Sequence, residues 1–401
     1  MSVHPFDQLT VEQLRHAGSR KWSEYPHALG AGLAEMDFGT APGVIEAARE
    51  TLAHGLTGYA PTWLVHDMQL ATTSWLDNRF DWTIDPQQVR PLNSVEAALE
   101  AAIMHFSPSH RRDAPLVLLT PAYMPYIAAA SRFGRESIEV AMLRTDSGWE
   151  INWTALEQAL SGGALLILVN PHNPIGKVYS RAELRRICEL VEATDSRVFV
   201  DEVHSPLVFD GATHLPYATV LPAAAAHSVT AVAATKAFNL SGLKCAQLIL
   251  SNSADLDLWA RVGQIPESCA ANVGLAATTA AYSAGTGWLD GVIDYLDHSR
   301  MLLGELIKQH LPHVGYQPPQ GTYLGWLDVS QLNLDPDAER FFLAEAQVAL
   351  INGNDCGSGG QGFVRLNFAT PHPVLGGMIH RMGAAVDGCD NKDITDPEFA
   401  H

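Results

Sequence analysis

The stretch "VAATKAFNLSGLK", residues 232–244, holds two of the chain's six lysines, Lys236 and Lys244, eight positions apart. The run ahead of them, Ser228 to Ala234, is small and apolar and reads as a buried strand, which puts Lys236 at its end with little water around it. Desolvation penalises the ammonium form, and an uncharged amine is both a nucleophile and a base. Two other apolar runs end in polar residues in the same way. "LVNPHNPIGK" carries Asn173 just past one strand, and "RVFVDEVH" carries Asp201 and His204 to the end of the next. Taken singly, Asn-Pro is a turn, an aspartate at a strand end is a cap and a lysine reaches for solvent. Taken in order, an amide, a carboxylate and an amine at neighbouring strand ends converge on one crevice.

The elements that must position them run from about residue 93 to 251. Apolar runs at 115–120, 164–170, 197–202, 228–235 and 247–251 alternate with amphipathic helices, clearest at "SVEAALEAAIMHF" and "SRAELRRICELVEAT". In the second, Ser180 with Glu183 three residues on has the form of a capping box. Continuous apolar strands alternating with helices predict an α/β fold, with a large domain whose mostly parallel sheet is covered by helices on both faces. Ligands of such sheets gather at the carboxyl ends of the strands. Beyond about residue 290 the pattern becomes a long helix, a strand "TYLGWLDV", a helix over "DAERFFLAEAQVAL", a strand "GFVRLNFA" and a last helix. That predicts a smaller α+β domain. The division expected is an N-terminal segment, 1–50, that joins the small domain, a large domain over 51–289 and a small domain over 290–401.

Composition narrows the function classes. Hydrophobic residues make up 47% and charged ones 17%, which favours large buried elements over solvated tails. A formal net charge of −19 argues against nucleic acid or an anionic membrane surface as partner and leaves a small-molecule ligand. The cysteines, Cys188, Cys245, Cys269, Cys356 and Cys389, are scattered and odd in number, which suits reduced thiols in a cytoplasmic protein. "MSVHPFDQLT" lacks the basic start and apolar core of a signal peptide, and no apolar run is long enough to span a bilayer. None of the 17 histidines shows paired metal-ligand spacing, so no metal is expected. "GSGGQG", residues 357–362, satisfies G-x-G-x-x-G, yet a strand follows it where a dinucleotide site needs a helix, so it reads as a loop near the site.

"NPHNPIG", "DEVHSPLVF", "ATKAFNLSGLK" and "GFVRLNFA" resemble, in this order, the successive motifs of the class I/II aminotransferase superfamily, the fold-type I enzymes that use pyridoxal 5′-phosphate (PLP). "AEMDFGTAP", "GYA", "TPAYMPY", "DEVH" and "TYLGWLD" resemble its carbon–sulfur β-lyase branch, the MalY/PatB-type cystathionine β-lyases, and the likeness runs from about residue 22 to 385. The resemblance implies a large sheet of seven strands and a set of roles. Lys236 bonds the cofactor aldehyde and serves as general base, while Asp201 pairs with the pyridine nitrogen. Asn173 donates to the ring phenolate oxygen, His204 stands where many aminotransferases place a tyrosine beside that oxygen, and Tyr123 stacks on the ring face. Ser94 and Val95, at the start of a helix, bind the phosphate together with Thr235 and with Lys244, which takes the place of an arginine in many members. Arg365 grips the substrate α-carboxylate. Tyr59 reaches across an interface to the neighbour's phosphate, which implies a homodimer with shared active sites.

Two departures bear on the substrate. Where the family has Trp-Val-Ala-Asp-Met-Asp-Phe, this chain reads "GLAEMDF", with Gly32 for the tryptophan and Glu35 for the first acid. The branch resemblance implies β-elimination of cystathionine or a related cysteine thioether, giving a thiol such as homocysteine, pyruvate and ammonia. Transamination needs the same residues and is the alternative, and a non-catalytic PLP-binding regulator is a third reading.

Overall fold

The computed structural model describes residues 4–145, 148–334 and 338–395. Its central sheet has seven strands: β1 (Val89–Leu92), β2 (Leu116–Thr120), β3 (Ser137–Ala141), β4 (Leu165–Val169), β5 (Arg197–Asp201), β6 (Ser228–Val232) and β7 (Ala246–Leu250). The spatial order is β1-β7-β6-β5-β4-β2-β3. β6, β5, β4, β2 and β3 run parallel, and β7 is antiparallel to both of its neighbours.

Every residue of β2, β4, β6 and β7 is buried, as expected when both faces of a sheet are covered. Alternate residues feed two cores. Leu116, Leu118, Leu165 and Ile167 pack with Ala98 and Ala102 of the helix Val95–His105 on one side. Val117, Leu119, Leu166 and Leu168 pack with Leu156 and Ile187 on the other. Each such side chain contributes about 1.5–3 kcal/mol when fully withdrawn from water. The helix Arg181–Ala193 opens with the capping box expected: Ser180 N donates to Glu183 Oε2 at 2.8 Å, and Glu183 N donates to Ser180 Oγ at 3.3 Å.

The two edge strands were not read from the sequence, for a physical reason. β1 contains Pro91, which a sheet tolerates at its rim, and three of the five residues of β3 are exposed, so neither is a continuous apolar run. A four-stranded antiparallel sheet, ordered Gly315–Tyr316, Leu324–Asp328, Phe363–Asn367, Ile351–Asn352, forms the second layer system, with the helices Thr286–His310 and His372–Thr395 packed together beside it.

The helix expected over "DAERFFLAEAQVAL" is broken. Described helix covers only Ala338–Phe341 and a wider turn at Phe342–Ala346, after which Gln347 adopts a left-handed φ of 53°. Val348 and Ala349 are instead drawn into a short parallel ladder with Leu29 and Gly30. Asn367 N donates to Ala31 O at 2.7 Å and Asp37 N to Ala369 O at 3.1 Å, so the segment 29–37 is laced to the C-terminal part of the chain. A buried ion pair, Lys21 Nζ to Asp37 Oδ2 at 3.0 Å, locks it, with Trp22 Nε1 donating to Asp37 Oδ1. The next helix, Pro42–Ala53, lies against Asn272–Ala284 beside the large sheet.

Among the described residues no helix is long and apolar enough to cross a membrane, and no group of three or more His, Cys, Asp or Glu is arranged to hold a metal ion. Cys188, Cys245 and Cys356 are buried thiols and Cys269 is exposed. The Cys389 side chain lies outside the described residues.

Candidate active site

Strand ends do the positioning. Asp201 is the last residue of β5, Asn173 and His204 follow β4 and β5, Lys236 follows β6 and Tyr123 follows β2. Because these strands are parallel neighbours, their carboxyl ends deliver the five side chains to one crevice. The small sheet adds Arg365 from Phe363–Asn367, and the N-terminal segment adds a wall at Gly32 to Glu35.

The carboxylate of Asp201 is buried and accepts two hydrogen bonds, from Tyr126 Oη at 2.7 Å and from Val203 N at 3.0 Å. Burial pushes its pKa up to about 6 against the pull of those two donors, so it is an anion at neutral pH that would gain from a cationic partner. Tyr126 was not singled out from the sequence. Its place in "PAYMPY", one helical turn from Tyr123, was the available signal.

Lys236 Nζ donates to Ala34 O at 3.1 Å, and Tyr323 Oη donates to the same carbonyl at 2.8 Å. Burial lowers the pKa of the amine; the charges acting on it, in decreasing order, are Glu96, Arg365, Glu35 and Asp201. Glu96 is a second residue that sequence reasoning missed. It sits in the first turn of Val95–His105, where an acid normally just complements the helix dipole, and here its Oε1 also accepts from Tyr123 Oη at 3.4 Å. Tyr123 is half-buried, and burial together with Glu96 raises its phenol to about 12.

Arg365 is buried, donating from Nη1 to Asn173 Oδ1 at 3.1 Å and from Nη2 to Gly32 O at 3.0 Å, while Nε has no partner. Burial depresses even this guanidinium. A cation hydrogen-bonded only to an amide and a carbonyl is a ready receptor for a carboxylate. His204 is buried with Nδ1 unpartnered, 5.9 Å centroid to centroid from the Tyr323 ring, and burial beside Lys236 and Arg365 holds it neutral with a pKa of about 3.

Ser94 caps the helix Val95–His105, its Oγ accepting from Ala97 N at 3.1 Å, and the free N–H groups of the first turn face the N-terminal end. Asn93 Oδ1, just before it, is buried without a partner. Thr235 is half-buried next to Lys236. The last two candidates are solvent-exposed in the single chain. Lys244 is exposed in a left-handed turn, and Tyr59 is 98% exposed on a loop held by Asn272 Nδ2, which donates to Leu56 O and Gly58 O. "GSGGQG" opens no helix; its Ser358 Oγ lies 2.8 Å from Thr120 Oγ1 at the end of β2.

The crevice therefore combines a desolvated amine, a buried anion, a buried cation with no counter-ion among the described residues, an aromatic face and a helix N-terminus. Orphaned polar atoms at Arg365, His204 and Asn93 suit a polar ligand that would satisfy them. This donor set fits a phosphorylated pyridine aldehyde together with an amino acid.

Comparison with known proteins agrees. Residues 28–375 match the family described as aminotransferase class I and II. The cystathionine β-lyase of Corynebacterium glutamicum is 31% identical over 94% of this chain and 99% of its own length. Cystathionine β-lyase PatB of Bacillus subtilis is 32% identical over 90% of this chain and 92% of its own. The PLP-bound C–S lyase of Staphylococcus hominis superposes with a TM-score of 0.87 at 25% identity, covering 96% of this chain and 99% of the other. The chain belongs to the class I and II aminotransferase family, in its MalY/PatB cystathionine β-lyase branch.

Proposed function

We propose that the protein is a PLP-dependent carbon–sulfur β-lyase that cleaves cystathionine or a related cysteine thioether to a thiol, pyruvate and ammonia. The observation that carries this reading is the presence, in one crevice, of a desolvated Lys236 amine and a buried Arg365 that has no anionic partner among the described residues. PLP, when bound, supplies the electron sink that stabilises negative charge at the substrate α-carbon.

The chain's own residues do the rest. Lys236 would hold the cofactor at its aldehyde carbon. Asp201 would keep a proton on the pyridine nitrogen, Asn173 and His204 would serve the ring oxygen, and Tyr123 would cover the ring face. The N–H groups at Ser94 and Val95, the Thr235 hydroxyl and the Lys244 charge serve the phosphate. Arg365 clamps the α-carboxylate and so fixes which α-substituent faces Lys236. With the cofactor in place, Lys236 Nζ would take the α-proton and return it to the departing sulfur as the Cβ–S bond breaks. The enamine left behind hydrolyses to pyruvate and ammonia.

The same reading includes a cytoplasmic homodimer, with Tyr59 of each copy supplying its hydroxyl to the other's phosphate site. It also divides the chain into an N-terminal segment, a large cofactor-binding domain and a small C-terminal domain. The experiment is a pyruvate assay with cystathionine and no added keto acid, run with wild type and Lys236→Ala. Pyruvate from the wild type alone is expected. Amino transfer that depends on a keto acid would instead make the protein an aminotransferase using the same residues.

A further inference from the structure

Glu35 is an acid in the crevice wall that the reading above leaves without a task and whose carboxylate, unlike that of Glu96, accepts no hydrogen bond among the described residues. Its backbone is fixed on every side: Glu35 N donates to Leu33 O at 2.9 Å, and Glu35 O accepts from Asn367 Nδ2 at 2.6 Å and Lys21 Nζ at 3.4 Å. The preceding residue, Ala34, is the one whose carbonyl receives both Lys236 and Tyr323. The half-buried carboxylate of Glu35 takes no hydrogen bond or ion pair among the described residues, and it directly follows the carbonyl that Lys236 Nζ reaches at 3.1 Å and Tyr323 Oη at 2.8 Å, with its charge felt at both side chains. Gly32, three residues earlier in the same wall, sits tightly against the chain, since a Cβ there would lie 3.2 Å from Leu350 O.

Charge matching within this chain then singles Glu35 out. Arg365 is answered by the α-carboxylate and Asp201 by the pyridine nitrogen, and Glu96, though not paired with a cation among the described residues, at least accepts a hydrogen bond from Tyr123 Oη. The negative charge at position 35 has no counterpart until a ligand brings one. Resting on the lyase reading, we propose that Glu35 is a specificity residue that pairs with a positive group on the sulfur-bearing, departing half of the substrate. The preferred substrates are cysteine thioethers whose leaving thiol carries an ammonium or other cation, and thioethers with an anionic leaving half are disfavoured.

The test measures kcat/KM for pyruvate release from S-aminopropyl-, S-butyl- and S-carboxyethyl-L-cysteine, with wild-type holoenzyme and Glu35→Gln. The wild type should prefer the aminopropyl over the carboxyethyl compound by about tenfold, and Glu35→Gln should bring that ratio to within about twofold. Higher salt should shrink the wild-type ratio as well, a readout that needs no variant. A wild-type ratio at or below unity, or a ratio that Glu35→Gln leaves unchanged, overturns the proposal. Failure of the lyase reading looks different: no pyruvate from any of the three compounds, S-butyl-L-cysteine included. Dissociation constants from the change in cofactor absorbance would then still report the charge order, and equal constants would overturn the role of Glu35.

Discussion

Arg365 and Asn173 share a hydrogen bond, Nη1 to Oδ1 at 3.1 Å, that crosses from the small sheet to the end of β4. The residue proposed to hold the substrate carboxylate thereby also orients the amide proposed to touch the cofactor ring oxygen. A substrate that pulls on Arg365 is felt at Asn173.

Arg365→Lys keeps the charge and loses the planar fork. One charge-assisted hydrogen bond and the Asn173 contact are worth about 1.5–3 kcal/mol, so kcat/KM should fall about ten- to a hundredfold, mostly through KM. Steady-state kinetics check this, and the cofactor absorbance maximum should shift because Asn173 Oδ1 loses its donor.

Asp201 makes the stability of the cofactor-free protein depend on pH. Its carboxyl titrates near 6 when folded, against 3.8 for the ordinary group. Between those values the folded state holds a proton that the unfolded state has released, so stability falls as pH rises through that window. The full penalty above the window is about 3 kcal/mol. Asp201→Asn should flatten the dependence, raise the urea midpoint of the cofactor-free form at neutral pH and weaken PLP binding. Urea titrations across the window, paired with PLP binding, measure both.

Lys21→Met strips the buried Asp37 of its counter-ion. The cost should be about 3–5 kcal/mol, as for other broken buried pairs, and Lys21→Met combined with Asp37→Asn should recover part of it. Because Lys21 also ties Glu35 O and Ala369 O, the single variant should lose cofactor before it unfolds globally. Comparing the thermal loss of cofactor absorbance with that of circular dichroism tests the order.

Tyr59→Phe removes one hydroxyl from a fully exposed ring. In the proposed homodimer it should weaken PLP retention by about 1 kcal/mol, roughly fivefold, while sedimentation still gives a dimer. A monomeric wild type would refute the shared site.

The five inner strands of the large sheet, Asp201 and Lys236 at their ends, and the capping box at Ser180 were legible in the sequence because each rests on a local pattern. Tyr126, Glu96 and the Ala34 carbonyl were not. Tyr126 looks like an ordinary helical aromatic and Glu96 like a dipole-complementing acid, and only the tertiary fold turns both toward Asp201, Tyr123 and Lys236. A backbone carbonyl leaves no trace in residue types. The helix expected over 337–350 ends early, at Ala346, for a related reason: Val348 and Ala349 found partners at Leu29 and Gly30, far beyond any local window.

That distant pairing also dictates the order of birth. Ala31 is held by Asn367, and Asp37 by Ala369, so the lip that carries Ala34 over Lys236 cannot settle until residues 367–369 have left the ribosome. Contacts of such long sequence separation form late. A nascent chain therefore presents its reactive lysine uncovered while more than a hundred further residues are made, and gains a shielded catalytic chamber only once that distant segment emerges.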